Sequence, residues 1–347
     1  MPKQLPPVSM IISKFSDHST STQKVDITLA VIINSFNRVQ LLKEALSSVL
    51  ENVQHTVQPS AIIIFDAGST DGSLECIQEM ASQVQTPAIF CLVSSVTTQN
   101  SFSAGCNAAV CFAAEQFPNL KYCFFFETDN LILNPSALPL AIQLLEQEQR
   151  MAAVGFTVER RDRQKTGFGN RFPTPFSFLI GQQIAQAFRL DQMPIKEWQS
   201  FEQTSWGVSD VVYTSPLLVR YKAWQAIGGM DSERFPFSDS DLDWCWMAAK
   251  SGWSVAVLDI SGVIHDSQNQ DSSWSENRVM DFHRARFQLL TKHYGHSMNW
   301  LKPLLFMRHN VEFILLKIFT PKTERVMRSL QQRQILMQSV FNGYESC

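Results

Sequence analysis

The sequence has 347 residues, of which 45 % are hydrophobic and 18 % charged, so the chain is long enough to bury a large core as one large domain or two smaller ones. That composition excludes a disordered chain and a small cross-linked scaffold. The formal net charge of −3 supplies no global basic field of the kind that nucleic acid requires.

Residues 1–26 contain Pro2, Pro6, Pro7 and a Ser/Thr cluster but no apolar stretch of the signal-peptide kind, and are expected to form a flexible tail. After them the pattern alternates. Apolar runs over 29–34, 61–65, 88–93 and 122–126 read as strands, and they are separated by helical patterns over 39–50, 74–82 and 105–116. Continuous apolar strands interleaved with helices imply an α/β fold with a mostly parallel sheet covered on both faces. Such sheets bind ligands beyond the C-terminal ends of their strands. The seven cysteines are odd in number, form no CxxC pair and mostly lie in apolar runs. This points to buried thiols in a reducing, cytoplasmic setting, without disulfides or a zinc site.

The polar residues that follow each run are therefore the ones to weigh. The first run leads into Ser35, Phe36, Asn37 and Arg38. The second leads into Asp66 and a turn rich in Gly and Asp that ends at Ser73, where Thr70 or Asp71 is placed to cap the next helix. Asp66, at a strand tip, is placed to accept a hydrogen bond from a base or a ribose. The fourth run ends in Glu127-Thr128-Asp129. Carboxylates at i and i+2 repel each other unless solvent, a base or a cation intervenes, and a divalent cation shared with substrate phosphates is one remedy. Taken alone, such a turn is more often simply solvated. Further on, Asp239, Asp241 and Asp243 stand among Phe235, Phe237, Trp244 and Trp246, where desolvation would favour a general base. A strand over 254–258 and an apolar stretch over 260–264 then deliver His265. Residues 156–205, with Arg160, Arg161, Arg163 and Arg171, read as a variable insertion or loop. Within it, Gly167-Phe168-Gly169 lacks the third glycine of a dinucleotide fingerprint.

Together these motifs resemble the family 2 glycosyltransferases of the GT-A fold over roughly residues 27–265. Asn34-Ser35-Phe36-Asn37-Arg38 is similar to their "TYNR" opening, and residues 66–73 to their "DngStDgS" turn. Residues 103–109, with Asn107, are similar to the helix start "aaaaNxG", and Glu127-Thr128-Asp129 stands where they carry DxD. Gly228-Gly229-Met230-Asp231 is similar to "GGfDe", and Ser240-Asp241-Leu242-Asp243 to "EDxD". The chain departs from that pattern at Ala109, Glu127, Ser240 and Met247. These departures keep open a catalytically impaired module that binds a nucleotide-sugar or a glycan. The resemblance implies a Rossmann-like GT-A domain over 27–275. It also implies inverting transfer from a UDP- or dTDP-sugar to a hydroxyl of a glycan or lipid-linked acceptor in surface-polysaccharide synthesis. The roles it implies are Asp241 as general base; Ser35, Asn37, Asp66, Asp71, Asn107, Glu127 and Asp129 around the donor; and Glu127, Asp129 and His265 around Mg²⁺ or Mn²⁺. Residues 206–220 resemble the acceptor-side strand of rhamnosyltransferase-like and galactofuranosyltransferase-like members. Trp206, Trp244 and Trp246 either stack on sugars there or fill the core. The absence of GxxxxGK and GxGxxG argues against another nucleotide-binding α/β enzyme.

Residues 276–347 form a distinct basic region. Between 278 and 333, Lys and Arg exceed Asp and Glu by eight, whereas residues 1–277 hold ten more acidic than basic residues. Apolar stretches at 304–306 and 313–319 interleave with Lys302, Arg308, Lys317 and Lys322. This predicts helices whose basic face is either solvated or rests on anionic lipid at the inner face of the cell membrane. No run reaches the ~18 apolar residues of a spanning helix.

Overall fold

The computed structural model describes residues 8–13, 27–53, 60–83, 88–94, 100–160, 164–166, 169–188, 190, 195, 197–265 and 276–344. Most of the expected tail, and Arg161, Arg163, Gly167, Phe168 and Cys347, lie outside the described residues. In chain order the first half comprises β1 (Val8–Ser13), β2 (Leu29–Ser35), α1 (Val39–Asn52), β3 (Ser60–Asp66), α2 (Ser73–Gln83), β4 (Ala88–Ser94), α3 (Phe102–Gln116), β5 (Tyr122–Phe125), β6 (Asn130–Ile132), α4 (Ala137–Gln147) and β7 (Met151–Phe156). It continues with β8 (Val158–Glu159), β9 (Lys165–Thr166), α5 (Pro175–Ile180), α6 (Gln182–Ala187), β10 (Gln199–Phe201), β11 (Thr204–Ser209) and β12 (Leu217–Arg220). Then follow α7 (Tyr221–Ile227), α8 (Ser240–Lys250), β13 (Ser254–Asp259), β14 (Val263–His265), α9 (Glu276–Tyr294), α10 (Leu301–Phe319) and α11 (Glu324–Ser339).

The chain divides into two units, the first made of Met1–Asn170, Pro194–Pro236 and Ser240–Asn269. Its sheet has ten strands in the order β1-β4-β3-β2-β5-β12-β7-β13-β11-β10, and only β1, β12 and β11 run against the rest. The α/β fold with a mostly parallel central sheet is thus present. Leu29, Val31 and Ile33 of β2 join one core with Leu42 and Leu46 of α1, Ile77 of α2 and Leu144 of α4. The alternate positions Ala30 and Ile32 are just as buried, and α3 packs on β2 and β3. Both faces are covered, so these strands read as unbroken apolar runs, and each fully buried Ile, Leu or Phe contributes about 1.5–3 kcal/mol. Close approach of α3 requires Gly105: a Cβ there would stand 2.6 Å from Asn34 Oδ1 and 2.7 Å from the Phe65 ring. A second sheet, β6-β14-β8-β9, lies within the same unit.

Two expectations change. Val8–Ser13, placed in the tail by its Pro- and Ser-rich surroundings, pairs antiparallel with β4 as the sheet's edge strand. Residues 156–205, read as a variable insertion or loop, are not a plain loop: they contain β8, β9, α5, α6 and β10. The start of α5 is fixed by a capping box in which the Thr174 side chain accepts from Ser177 N and the Ser177 side chain bonds back to Thr174 N.

The second unit consists of Arg171–Met193, Phe237–Asp239 and Gln270–Cys347. Phe178, Phe287, Leu290, Leu301, Leu305, Leu336 and Tyr344 form its core. Arg286 grips Asp239 with both arms of its guanidinium, Nε to Oδ2 at 2.7 Å and Nη2 to Oδ1 at 3.0 Å. No helix among the described residues is long and apolar enough to cross a membrane.

Candidate active site

Parallel pairing of β2 and β3 sets Ser35 opposite Asp66 at the C-terminal tips of the two strands. Asp66 is fully buried, and its Oδ1 accepts from the backbone N–H groups of Gly68 (2.9 Å) and Ser69 (2.7 Å). The turn needs a positive φ at residue 68 (+87°), which glycine adopts without penalty. Asn37, at φ +51°, accepts from Thr70 N–H at 2.8 Å and donates its own N–H to Ser69 Oγ. Asp71 serves two helices. Its Oδ2 accepts from Val39 N–H at 2.8 Å, and its Oδ1 from Ser73 N–H and Ser73 Oγ–H. Burial works against ionisation of Asp71, yet the Ser73 and Val39 bonds hold its carboxyl below the ordinary value. Asn37 and Asp71, expected at the donor, thus bind the scaffold itself. What remains is a pair of buried atoms, Ser35 Oγ and Asp66 Oδ2, that have no hydrogen-bond partner among the described residues.

Asn107 is likewise committed to the backbone: its Nδ2 donates to Met230 O at 2.9 Å and its Oδ1 accepts from Met230 N–H at 3.0 Å. It clasps the Gly228-Gly229 turn, where Gly229 has φ +72°.

A second corner forms where β5 ends. Glu127 Oε1 accepts from the hydroxyls of Thr214 (2.9 Å) and Ser215 (2.6 Å). Asp129 is 8 % exposed and approaches His265 because β6 and β14 pair antiparallel, with Asn130 opposite His265. His265 Nδ1 lies 2.9 Å from Asn130 Oδ1 and 3.5 Å from Asp129 Oδ1. Burial opposes ionisation of Asp129, but its bond with His265 and the charges of His265 and Arg38 keep its carboxyl below the usual value. Were Asn130 Oδ1 the acceptor of a neutral imidazole, the proton would sit on Nδ1, the tautomer that a metal-ligating histidine uses.

Of the three expected metal ligands, the structure therefore joins Asp129 and His265. The longer arm of Glu127 bends instead to two hydroxyls. Among the described residues no three His, Cys, Asp or Glu side chains gather with metal-holding geometry. Asp129 and His265 do fit a divalent cation whose other ligands are substrate phosphate oxygens and water.

Asp241 opens α8 and is half-buried, with Oδ1 accepting from Leu242 N–H at 2.9 Å. It lines a cleft of about 190 Å³ together with His265, Asn170, Tyr213, Ser215 and Pro216. The other two members of the acidic cluster differ. Asp239 is held by Arg286, and Asp243 is 2 % exposed inside the first turn of α8. Trp206 and Trp244 are core residues at 6 % and 1 % exposure, and Trp244 packs on Trp224 with ring centroids 5.7 Å apart. This excludes both from stacking on a sugar, whereas Trp246 is partly exposed. Thr214, Ser215 and Asn130 were not identified from sequence as holders of Glu127 and His265. Hydroxyls 87 and 88 residues downstream of Glu127 give no local signal.

The sequence matches the family model described as "Glycosyltransferase like family 2" over residues 27–291. Comparison with curated protein sequences gives no significant match. Among solved structures, the chain is similar to GalNAc-T7 with UDP, GalNAc and Mn²⁺ (TM-score 0.55, 9 % identity, covering 92 % of this chain and 56 % of that one). It is also similar to residues 1–349 of TarS from S. aureus (TM-score 0.50, 12 % identity, 92 % and 81 % covered) and to the same protein with UDP-GlcNAc (TM-score 0.50, 11 % identity, 91 % and 82 % covered). At these identities the structures establish the GT-A-like fold, and the family model, which spans most of the chain, establishes the lineage. The chain belongs to glycosyltransferase family 2 and is a glycosyltransferase.

Proposed function

We propose that the protein transfers a sugar with inversion from a UDP- or dTDP-sugar to a hydroxyl of a glycan or lipid-linked acceptor, in surface-polysaccharide synthesis at the cytoplasmic side of the membrane. The observation that carries the donor reading is the side-by-side pair Ser35 Oγ and Asp66 Oδ2, buried at adjacent strand tips and lacking partners among the described residues. Buried polar atoms left in this way are costly unless a ligand completes them. Uracil and thymine present an N3–H flanked by two carbonyls, which suits a carboxylate acceptor beside a hydroxyl donor. Cytosine has a lone pair at N3 and would face Asp66 acceptor to acceptor.

Asp129 and His265 would hold the divalent cation, which when bound neutralises the departing diphosphate. Asp241 takes the acceptor proton in the cleft it shares with His265. The acceptor oxygen bonds to the anomeric carbon as the bond to the diphosphate breaks on the opposite face, so the centre inverts. Glu127 holds Ser215, which lines that cleft. The same commitment of Glu127 favours, as a second reading, a module that binds donor without turnover. Donor hydrolysis or transfer in Mn²⁺ separates the two.

Calorimetric titration of UDP and CDP in Mn²⁺ tests the donor reading. Asp66→Asn retains the acceptor for the Gly68 and Ser69 N–H groups but sets an amide against N3–H. It should weaken UDP about tenfold or more while leaving CDP unchanged or tighter, and chelation should weaken UDP in the wild type. Equal UDP affinity in wild type and variant would overturn the assignment.

A further inference from the structure

α10 buries Leu301, Leu305 and His309 on one side. Its opposite side is also apolar. Met307, Val311, Ile314 and Ile318 recur at helical spacing and therefore stack on one face, and they are 45–65 % exposed. Phe319, 75 % exposed, and Met327 of α11, 54 % exposed, extend the apolar surface. Globular proteins rarely leave such a stripe bare without a partner for it.

The surface is rigidly backed within its own unit. Glu312 of α10 pairs with Arg308 on the same helix and with Arg333 of α11, and His309 Nε2 lies 3.1 Å from Tyr344 Oη. Between the end of α10 and α11 runs a groove of about 710 Å³ lined by Phe313, Leu316 and Leu330 and by Lys317, Lys322 and an Arg328–Glu324 pair. Lys317 and Lys322 form no ion pair among the described residues. They belong to the stretch in which basic residues outnumber acidic ones by eight, in a chain of net charge −3.

We propose that the exposed face of α10, with the adjoining part of α11, docks on an anionic lipid bilayer. Met307, Val311, Ile314 and Ile318 enter the headgroup–acyl boundary while Lys317 and Lys322 meet lipid phosphates. From Met307 to Ile318 the stripe runs roughly 16 Å along the helix axis, a length suited to lying in the interface and too short to span it. Charge separates this occupant from a second copy of the chain. An isologous dimer would set the Lys317 and Lys322 faces against themselves, whereas anionic lipid complements them. The proposal is independent of which donor the enzyme uses.

Flotation of the full-length protein with phosphatidylcholine vesicles, with and without phosphatidylglycerol, tests it. Binding is expected only with the anionic vesicles and should weaken with added salt. Lys317→Gln and Lys322→Gln should each weaken it about fivefold. Ile314→Ser combined with Ile318→Ser should abolish binding at unchanged melting temperature. The lysine variants alter exposed side chains and keep the test open if the double serine variant fails to fold. Equal binding to both vesicle types, or to neither, overturns the proposal. So does a solution dimer that the double serine variant disperses, which would assign the stripe to self-association.

Discussion

The two corners at the C-terminal edge of the sheet are built in different ways. At the β2–β3 tips, Asn37, Asp66 and Asp71 bond mainly to backbone N–H groups within 34 residues of one another, so the turn is set before any ligand arrives. Where β5 ends, Glu127, Asp129 and Asn130 meet side chains 87 to 136 residues downstream. The first corner is a local structure that leaves two atoms unfilled. The second exists only once distant strands have paired. A change at Asn37 or Asp71 should therefore act through local folding, a change at Asp66 also through the two unfilled atoms, and a change in the second corner, or in the cleft beside it, through chemistry.

The largest expected effect tests the chemical side. Asp241→Asn preserves shape and removes the proton acceptor, so kcat should fall at least ~10²-fold with UDP affinity unchanged. If transfer to a verified acceptor persists near the wild-type rate, the base lies elsewhere in the cleft. The next sharpens the contrast inside the acidic cluster itself. Asp239→Asn loses half of a largely buried ion pair with Arg286 and should cost about 2–3 kcal/mol of stability in chemical denaturation, with kcat little altered. A large loss of kcat at unchanged stability would move the catalytic role two residues earlier.

The smallest concerns the preformed corner. Asp71→Ala removes acceptors from the starts of α1 and α2 and should cost about 1 kcal/mol. Because the folded pKa of Asp71 lies below its ordinary 3.8, its contribution is complete above pH 3.8 and lost as pH falls through the folded value. The stability gap between wild type and Asp71→Ala should close over that window. A gap that persists in acid would mean that the carboxylate charge is not what caps these helices.

The same contrast explains what could be read in advance. Strands 29–34, 61–65 and 88–93 were visible to within a residue or two because each is buried on both faces and followed by turn chemistry. Asp66 and Asp71 were visible because the sequence between them is itself the structure. The brace that Asp71 forms to the start of α1 was not visible, since its partner Val39 N–H belongs to another turn. Nor was the clamp on Glu127, because Thr214 and Ser215 reach it only through the reversed strand β12. The edge strand Val8–Ser13 exists by pairing with β4, which no window around residues 8–13 contains.

The placement of β12 also bears on how the chain is made. Residues 217–220 lie between β5 and β7 in the sheet although both are synthesised earlier, and β7 finds its second neighbour, β13, only at residue 254. During translation the N-terminal half-sheet can assemble as far as β5 with one open edge, while Met151–Phe156, apolar throughout, waits without either partner. Such an unpaired strand is a template for pairing with other chains. The strand that follows the Thr214–Ser215 clamp is thus also the one that, until it emerges from the ribosome, leaves the nascent protein dependent on shielding from its neighbours.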